Sequence, residues 1–277
     1  MTSYAQNLED VMIWRALKFL KCGTYIDIGS MDPTVDSVTR WLYDQGWSGL
    51  NIEPNPYYFD RLLQQRTRDI NLCVAVGGNN SIGELYVCDE PGLTTIDNNI
   101  ALAHRQNGRT FAISKVIIKT LDNIISEYIN GPIHLLKIDA EGKEQEILEH
   151  MNIEKNKPWI VLIEVVDPVS RFERKLVRNN LKGFLESHNY SLEFHDGIND
   201  YYVSGNHSYL TDAFQYPPNV FDNFTLYRTV KAELQVNYLN HVIIQHVNEI
   251  QAIKNTLSWR ITNPLRMLKQ LYKTFVK

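Results

Sequence analysis

Three cysteines in 277 residues, Cys22, Cys73 and Cys88, are too few and too widely spaced for a disulfide framework, and none has a histidine partner at zinc-finger distance. A reduced, cytosolic protein is expected. Missing too is an apolar run of the roughly 18 to 20 residues that a bilayer requires. The first ten residues already carry Glu9 and Asp10, so no secretory leader is expected either. Basic excess is absent, because 28 Lys and Arg stand against 32 Asp and Glu for a formal charge of −4, which argues against a nucleic-acid reader. The most telling absence follows the first apolar strand. The turn Gly29-Ser30-Met31-Asp32-Pro33 has one glycine, where a dinucleotide cradle needs the three of G-x-G-x-x-G. Asp27 and Asp32 would repel a pyrophosphate there, which disfavours an NAD-dependent or nucleotide-sugar enzyme.

What is present suits one α/β domain and an appendage, since 44% of the residues are hydrophobic. Val11, Ile13, Trp14, Leu17 and Leu20 recur at helical spacing, which predicts a helix over 9–20 ahead of a strand ending in Asp27-Ile28-Gly29. A further helix and the strand Leu50-Asn51-Ile52 lead to Glu53 and Pro54, then to a helix over 56–67 and a strand over 72–76. The run Gly77-Gly78-Asn79-Asn80 reads as a hairpin turn into a second arm at 83–88, and residues 89–115 read as a long polar loop of the kind that carries binding work. Then come a helix over 121–129, a strand over 133–138, a helix opened by Gly142, a strand over 159–163, a helix over 171–188 and a last strand pair at 190–195 and 201–204. Such alternation predicts a doubly wound, mostly parallel sheet, with the final hairpin placing one antiparallel strand in it. The domain is expected over 1–228, with a helical extension over 229–277.

Four of these strands end in acids, Asp27, Glu53, Asp139 and Glu164, and the last loop adds Asp196 and Asn199. Ligands of such sheets sit outside the carboxyl ends of the strands, so all six should face one crevice. A small residue such as Gly29 lets a ligand approach the first strand end, and Glu53 is placed to accept both hydroxyls of a ribose. An acidic, glycine-poor turn suits S-adenosylmethionine, a nucleoside without phosphate that carries a sulfonium and an ammonium. Any one of these acids taken alone also reads as a solvated strand cap.

Five segments in order resemble the FkbM-type methyltransferase family: Ser3-Tyr4-Ala5-Gln6-Asn7-Leu8-Glu9-Asp10, Tyr25-Ile26-Asp27-Ile28-Gly29, Gly46-Trp47-Ser48-Gly49-Leu50-Asn51-Ile52-Glu53-Pro54, Lys137-Ile138-Asp139-Ala140-Glu141-Gly142 and Asp196-Gly197-Ile198-Asn199. The resemblance implies a class I, Rossmann-like methyltransferase fold, S-adenosylmethionine as donor and a sugar hydroxyl as acceptor. It implies Asp27, Gly29, Ser30, Glu53 and Pro54 for the donor, and Asp139, Glu141 and Asp196 for the reaction face, with Asp139 first choice as base. A hard divalent cation such as Mg2+ would lower the hydroxyl pKa if held by Asp139, Glu164 and Asp196. Against that stands a plainer arrangement, in which Lys137 and Glu141 pair on the surface and Glu164 caps the donor pocket. His195 is a rival base or a structural residue. Gln6, Asn7, Glu9 and Asp10 form either a lid or a helix cap.

Beyond Tyr227, Leu234, Val236, Leu239, Val242 and Ile243 suggest a helix able to mediate self-association as a homo-oligomer. From Lys254 onward stand six bases, Lys254, Arg260, Arg266, Lys269, Lys273 and Lys277, and no acid. With Trp259 and the interleaved leucines they suit an amphipathic element on anionic lipid or on a membrane-bound glycosyltransferase, or a helix packed on its own domain. The stretch from Ser258 to Arg266 resembles a tail of bacterial polysaccharide enzymes, which turns the expected acceptor toward a glycan or glycolipid such as O-antigen. The alternative function is a methyltransferase-like scaffold without turnover.

Overall fold

Runs rich in Ile, Val and Leu at 24–28, 48–52, 135–138 and 160–164 are buried along most of their length, as strands covered on both faces must be. The computed structural model describes residues 1–275 apart from 168, 171 and 173, and its contacts divide the chain into two units, Met1–Thr225 and Leu226–Lys277. In chain order the first unit holds β1 Thr2–Ser3, α1 Glu9–Leu17, β2 Thr24–Ile28, α2 Arg40–Asp44, β3 Ser48–Ile52, α3 Pro56–Gln65, β4 Ile70–Leu72, β5 Ala75–Val76 and β6 Ser81–Cys88. There follow α4 Asn98–Gln106, β7 Phe111–Lys119, α5 Leu121–Tyr128, β8 Leu135–Ile138, α6 Glu144–Glu149, β9 Ile160–Glu164, α7 Lys175–Ser187, β10 Tyr190–His195 and β11 Asn199–Ser204.

The main sheet has the order β4-β3-β2-β8-β9-β11-β10. β2, β3, β4, β8 and β9 pair in parallel, and β11 runs antiparallel to both of its neighbours, so it is the one reversed strand. Side chains of a strand alternate between faces. Ile26, Ile28, Leu136 and Ile138 therefore enter one core, and Tyr25, Leu135, Ile160 and Leu162 the other.

The expected strand over 72–76 is two strands in two sheets. β4 stops at Leu72, whose carbonyl takes the Glu53 N–H at 3.0 Å, whereas β5 joins a separate sheet of order β5-β7-β6. The glycine turn at 77–80 does not close a hairpin, because β7 lies between its two arms, parallel to β5 and antiparallel to β6. The stretch read as a loop over 89–115 contains α4 and most of β7. The reason is exposure: Ile113 and Ile117 point to solvent, so the hydrophobic period of a half-buried strand is blurred.

The second unit is helical: α8 Tyr227–Asn255, α9 Leu257–Ile261 and α10 Asn263–Phe275. Residues 276 and 277, the end of the expected extension, lie outside the described residues, as do the side chains of Leu271 and Lys273. Among the described residues no helix is long and apolar enough to cross a membrane.

Candidate functional site

From β2 the chain winds out through β3 and β4, then returns to build β8 and β9 on the opposite side. The strand order thus reverses between β2 and β8, where a crevice opens at the carboxyl ends. Asp27, Gly29, Ser30, Glu53, Pro54, Asp139, Glu141 and Glu164 all line this cleft. Its opposite wall comes from the segment read as a loop, through Pro91, Gly92, Thr94, Thr95 and Ile96.

Gly29 holds φ at +71°, and a Cβ there would stand 1.8 Å from the carbonyl oxygen of Asp139. Only glycine lets the β2 and β8 ends come so close. The Ser30 hydroxyl is buried in the cleft and has no hydrogen-bond partner among the described residues, so it is available to a ligand. Glu53 spreads its two oxygens between the N–H groups of Met31 and Asn55, each at 2.8 Å. It thereby ties the β2 turn to the start of α3, which Asn55 caps by accepting the Tyr57 N–H at 3.1 Å. Burial pushes the Glu53 carboxyl up to about 7, against the lowering pull of those two N–H groups.

Lys137 is not a surface partner of Glu141. It sits beside Asp27 in the β2–β8 register, buried, with Nζ 3.3 Å from Asp27 and 3.2 Å from Asp139, and it donates to the Gly29 carbonyl at 2.7 Å. Burial lowers the ammonium pKa, but the two carboxylates outweigh it and raise the net value, so the lysine stays charged. Asp27 gains a second partner in the Thr39 hydroxyl at 2.8 Å.

The turn after β8 is wound tightly, with φ of +48° at Glu141 and +107° at Gly142. Glu144, fully buried, accepts the N–H groups of Ala140 at 3.0 Å and Gly142 at 2.9 Å, and is itself held by Arg174 at 2.6 Å. Carboxylate oxygens of Asp139, Glu141 and Glu164 lie within 4.8 Å of one another. Glu164 is pushed up to about 10, by burial first and then by the charges of Asp139, Glu141 and Glu144 and a hydrogen bond with Asp139. Three hard oxygen donors this close fit a divalent cation.

Asp196 does not join that set, and neither it nor His195 lines the cleft. Asp196 Oδ1 accepts the N–H groups of Ile198 and Asn199, while Oδ2 accepts Asn199 Nδ2 and the Tyr201 hydroxyl. Those bonds close the β10–β11 turn. His195 faces Asp200 at 2.9 Å, which also pairs with Arg178. Gln6 reaches the cleft, whereas Asn7, Glu9 and Asp10 are engaged elsewhere: Asn7 Nδ2 donates to the Asp196 carbonyl, Glu9 accepts the Asn7 N–H, and Asp10 accepts the Ser3 hydroxyl. Lys137 is a residue of the cleft to which sequence reasoning gave no part, whereas Ser30 and the 89–115 stretch that supplies the 91–96 wall were both expected to take part in binding. For Lys137 the signal was a charged residue inside an otherwise apolar strand.

Among solved structures, a Podospora anserina methyltransferase, PaMTH1, with SAH bound is similar at 10% identity, with 74% of this chain and 80% of that one covered and a TM-score of 0.39. An O-methyltransferase from Bacillus cereus in complex with SAH is similar at 12% identity, covering 73% and 80%, with a TM-score of 0.36. Likenesses this distant add nothing to what the sheet order already shows. None of the curated proteins compared matches the chain. The Methyltransferase FkbM domain, however, matches residues 22–233, a span that takes in β2, β3, β8, β9 and every acid of the cleft. The chain therefore belongs to the FkbM methyltransferase family, and it is an S-adenosylmethionine-dependent methyltransferase.

Proposed function

We propose that the acceptor is a sugar hydroxyl on a glycan or glycolipid, methylated at the cytoplasmic face of a membrane during bacterial surface-polysaccharide assembly. The observation that carries the hydroxyl is the cluster of Asp139, Glu141 and Glu164 carboxylates at the cleft, because a weakly acidic alcohol needs a base beside it to take its proton. When bound, S-adenosylmethionine supplies a methyl group on a cationic sulfur. Glu53 and Ser30 suit its ribose and polar groups, and the acids around Gly29 suit its positive charge. Asp139 receives the hydroxyl proton, while Lys137 holds the Asp139 carboxylate in place. Positioning within the walled cleft accounts for much of the remaining rate.

A divalent cation such as magnesium is a second means of activating the hydroxyl, favoured by the three clustered carboxylates. Asp139, Glu141 and Glu164 would hold it, and it would supply Lewis acidity; Asp196 has no part in it. The basic residues from Lys254 to Lys269, with Trp259, support a peripheral place on anionic lipid or beside a glycosyltransferase.

The test has two arms. Mass spectrometry of surface glycan from cells with and without the gene should reveal a sugar lighter by one methylene in its absence; an unchanged glycan would reject the acceptor. In Asp139→Ala the donor should still bind while turnover falls ~10²–10⁴-fold, and full activity would remove Asp139 as base.

A further inference from the structure

α8 is 29 residues long and has no buried residue. A helix of that length, about 43 Å, gains little from propensity alone and is ordinarily stabilised by packing an apolar face. Val236, Leu239, Ile243, Val247 and Ile250 are each half or more exposed. They succeed one another in steps of three, four, four and three residues, which keeps all five on one side of the helix. The sequence of steps is the same read from either end, with Ile243 at its centre.

We propose that α8 pairs antiparallel with α8 of a second copy of this chain, about a two-fold axis at Ile243. A self-complementary interface requires that each contact be repeated by its mirror in sequence. This seam meets the requirement: Ile243 faces Ile243 of the second copy, Leu239 faces Val247, and Val236 faces Ile250. Charge selects the direction. Glu233 and Lys254 lie just beyond the two ends of the seam, so antiparallel helices set Glu233 beside Lys254 of the second copy twice over. Parallel helices in register would set glutamate beside glutamate and lysine beside lysine, which is repulsive. The remaining charges of the helix, Arg228, Lys231 and Glu249, are too few to oppose association.

Sedimentation equilibrium on the full chain at micromolar concentration tests this. The wild-type chain should be dimeric, and Leu239→Glu or Val247→Lys alone should raise the dimer dissociation constant at least tenfold, because each strands a charge in an apolar seam. Combining Leu239→Glu with Val247→Lys in one chain should restore the dimer, since the introduced carboxylate and ammonium then face each other across the axis. Restoration also proves that the single variants failed by charge and not by misfolding. A monomeric wild-type chain, single variants that dimerise as well as wild type, or a double variant no better than the singles would each overturn the proposal. No arm of the experiment depends on methyl transfer, so its outcome is separate from that of the glycan test.

Discussion

Lys137 Nζ lies 3.3 Å from Asp27 Oδ1, one strand over in a parallel register, with both side chains almost wholly buried. A buried ion pair contributes little over an apolar pair of the same shape, yet removing one partner strands the other. Lys137→Met should therefore destabilise the protein by ~3–5 kcal/mol, read from urea denaturation. Adding Asp27→Asn should recover part of that loss. If the double variant were simply the sum of two penalties, the two groups would not be acting as a pair.

Gly29 is constrained twice, by its left-handed φ and by the Asp139 carbonyl where a Cβ would go. Gly29→Ala should cost more than the ~1 kcal/mol of the backbone conformation alone, because the β2 and β8 ends must part. Calorimetry with S-adenosylhomocysteine should show donor-site affinity falling together with melting temperature. Unchanged affinity in a well-folded alanine variant would mean that the ligand does not use this turn.

Glu53 offers a pH test of the donor site. Its carboxyl is raised to about 7, and ribose hydroxyls donate best to an ionised carboxylate. Donor affinity should therefore rise with pH up to about 7 and level off above it, with at most about tenfold per pH unit on the acidic side. Glu53→Gln should bind more weakly and lose most of that dependence. A wild-type profile that is flat from acid to alkaline pH would separate Glu53 from the ribose.

Much of this site was legible in the sequence because strand-end chemistry is local. Asp27, Glu53, Asp139 and Glu164 each follow an apolar run, and a doubly wound sheet must bring such positions to one edge. Asp196 looked equivalent because it also follows a strand, but β10 lies at the far end of the sheet and its turn needs the carboxylate for its own N–H groups. Lys137 entered only through the plainer alternative, as a surface partner of Glu141, because charge ordinarily means solvent; the parallel register reveals Asp27 beside it. The β5-β7-β6 sheet was missed for a similar reason. Its strands pair across α4, and exposed Ile82, Ile113 and Ile117 hide the alternation by which a strand is recognised.

Glu9 and Asp10 give the last prediction, since they fasten the amino-terminal segment. Glu9 accepts Asn199 Nδ2 at 3.1 Å and the Asn7 N–H at 2.8 Å, and Asp10 accepts the Ser3 hydroxyl and the Tyr4 N–H, each at 2.7 Å. Burial raises Glu9 from 4.5 to about 7 and Asp10 from 3.8 to about 6. A carboxyl raised on folding holds its proton more tightly in the folded chain, so its stabilising contribution is complete below the unfolded value and is lost as pH climbs through the folded one. Glu9→Gln removes that titration at the expense of one accepted hydrogen bond, a loss that does not vary with pH. The wild-type chain should accordingly be the more stable of the two near pH 5, with its advantage shrinking by up to ~3 kcal/mol toward pH 8. Parallel stability curves for the two proteins across that range would mean that folding does not raise the Glu9 carboxyl, and that toward pH 8 the Asn7 and Asn199 bonds hold a carboxylate and not an acid.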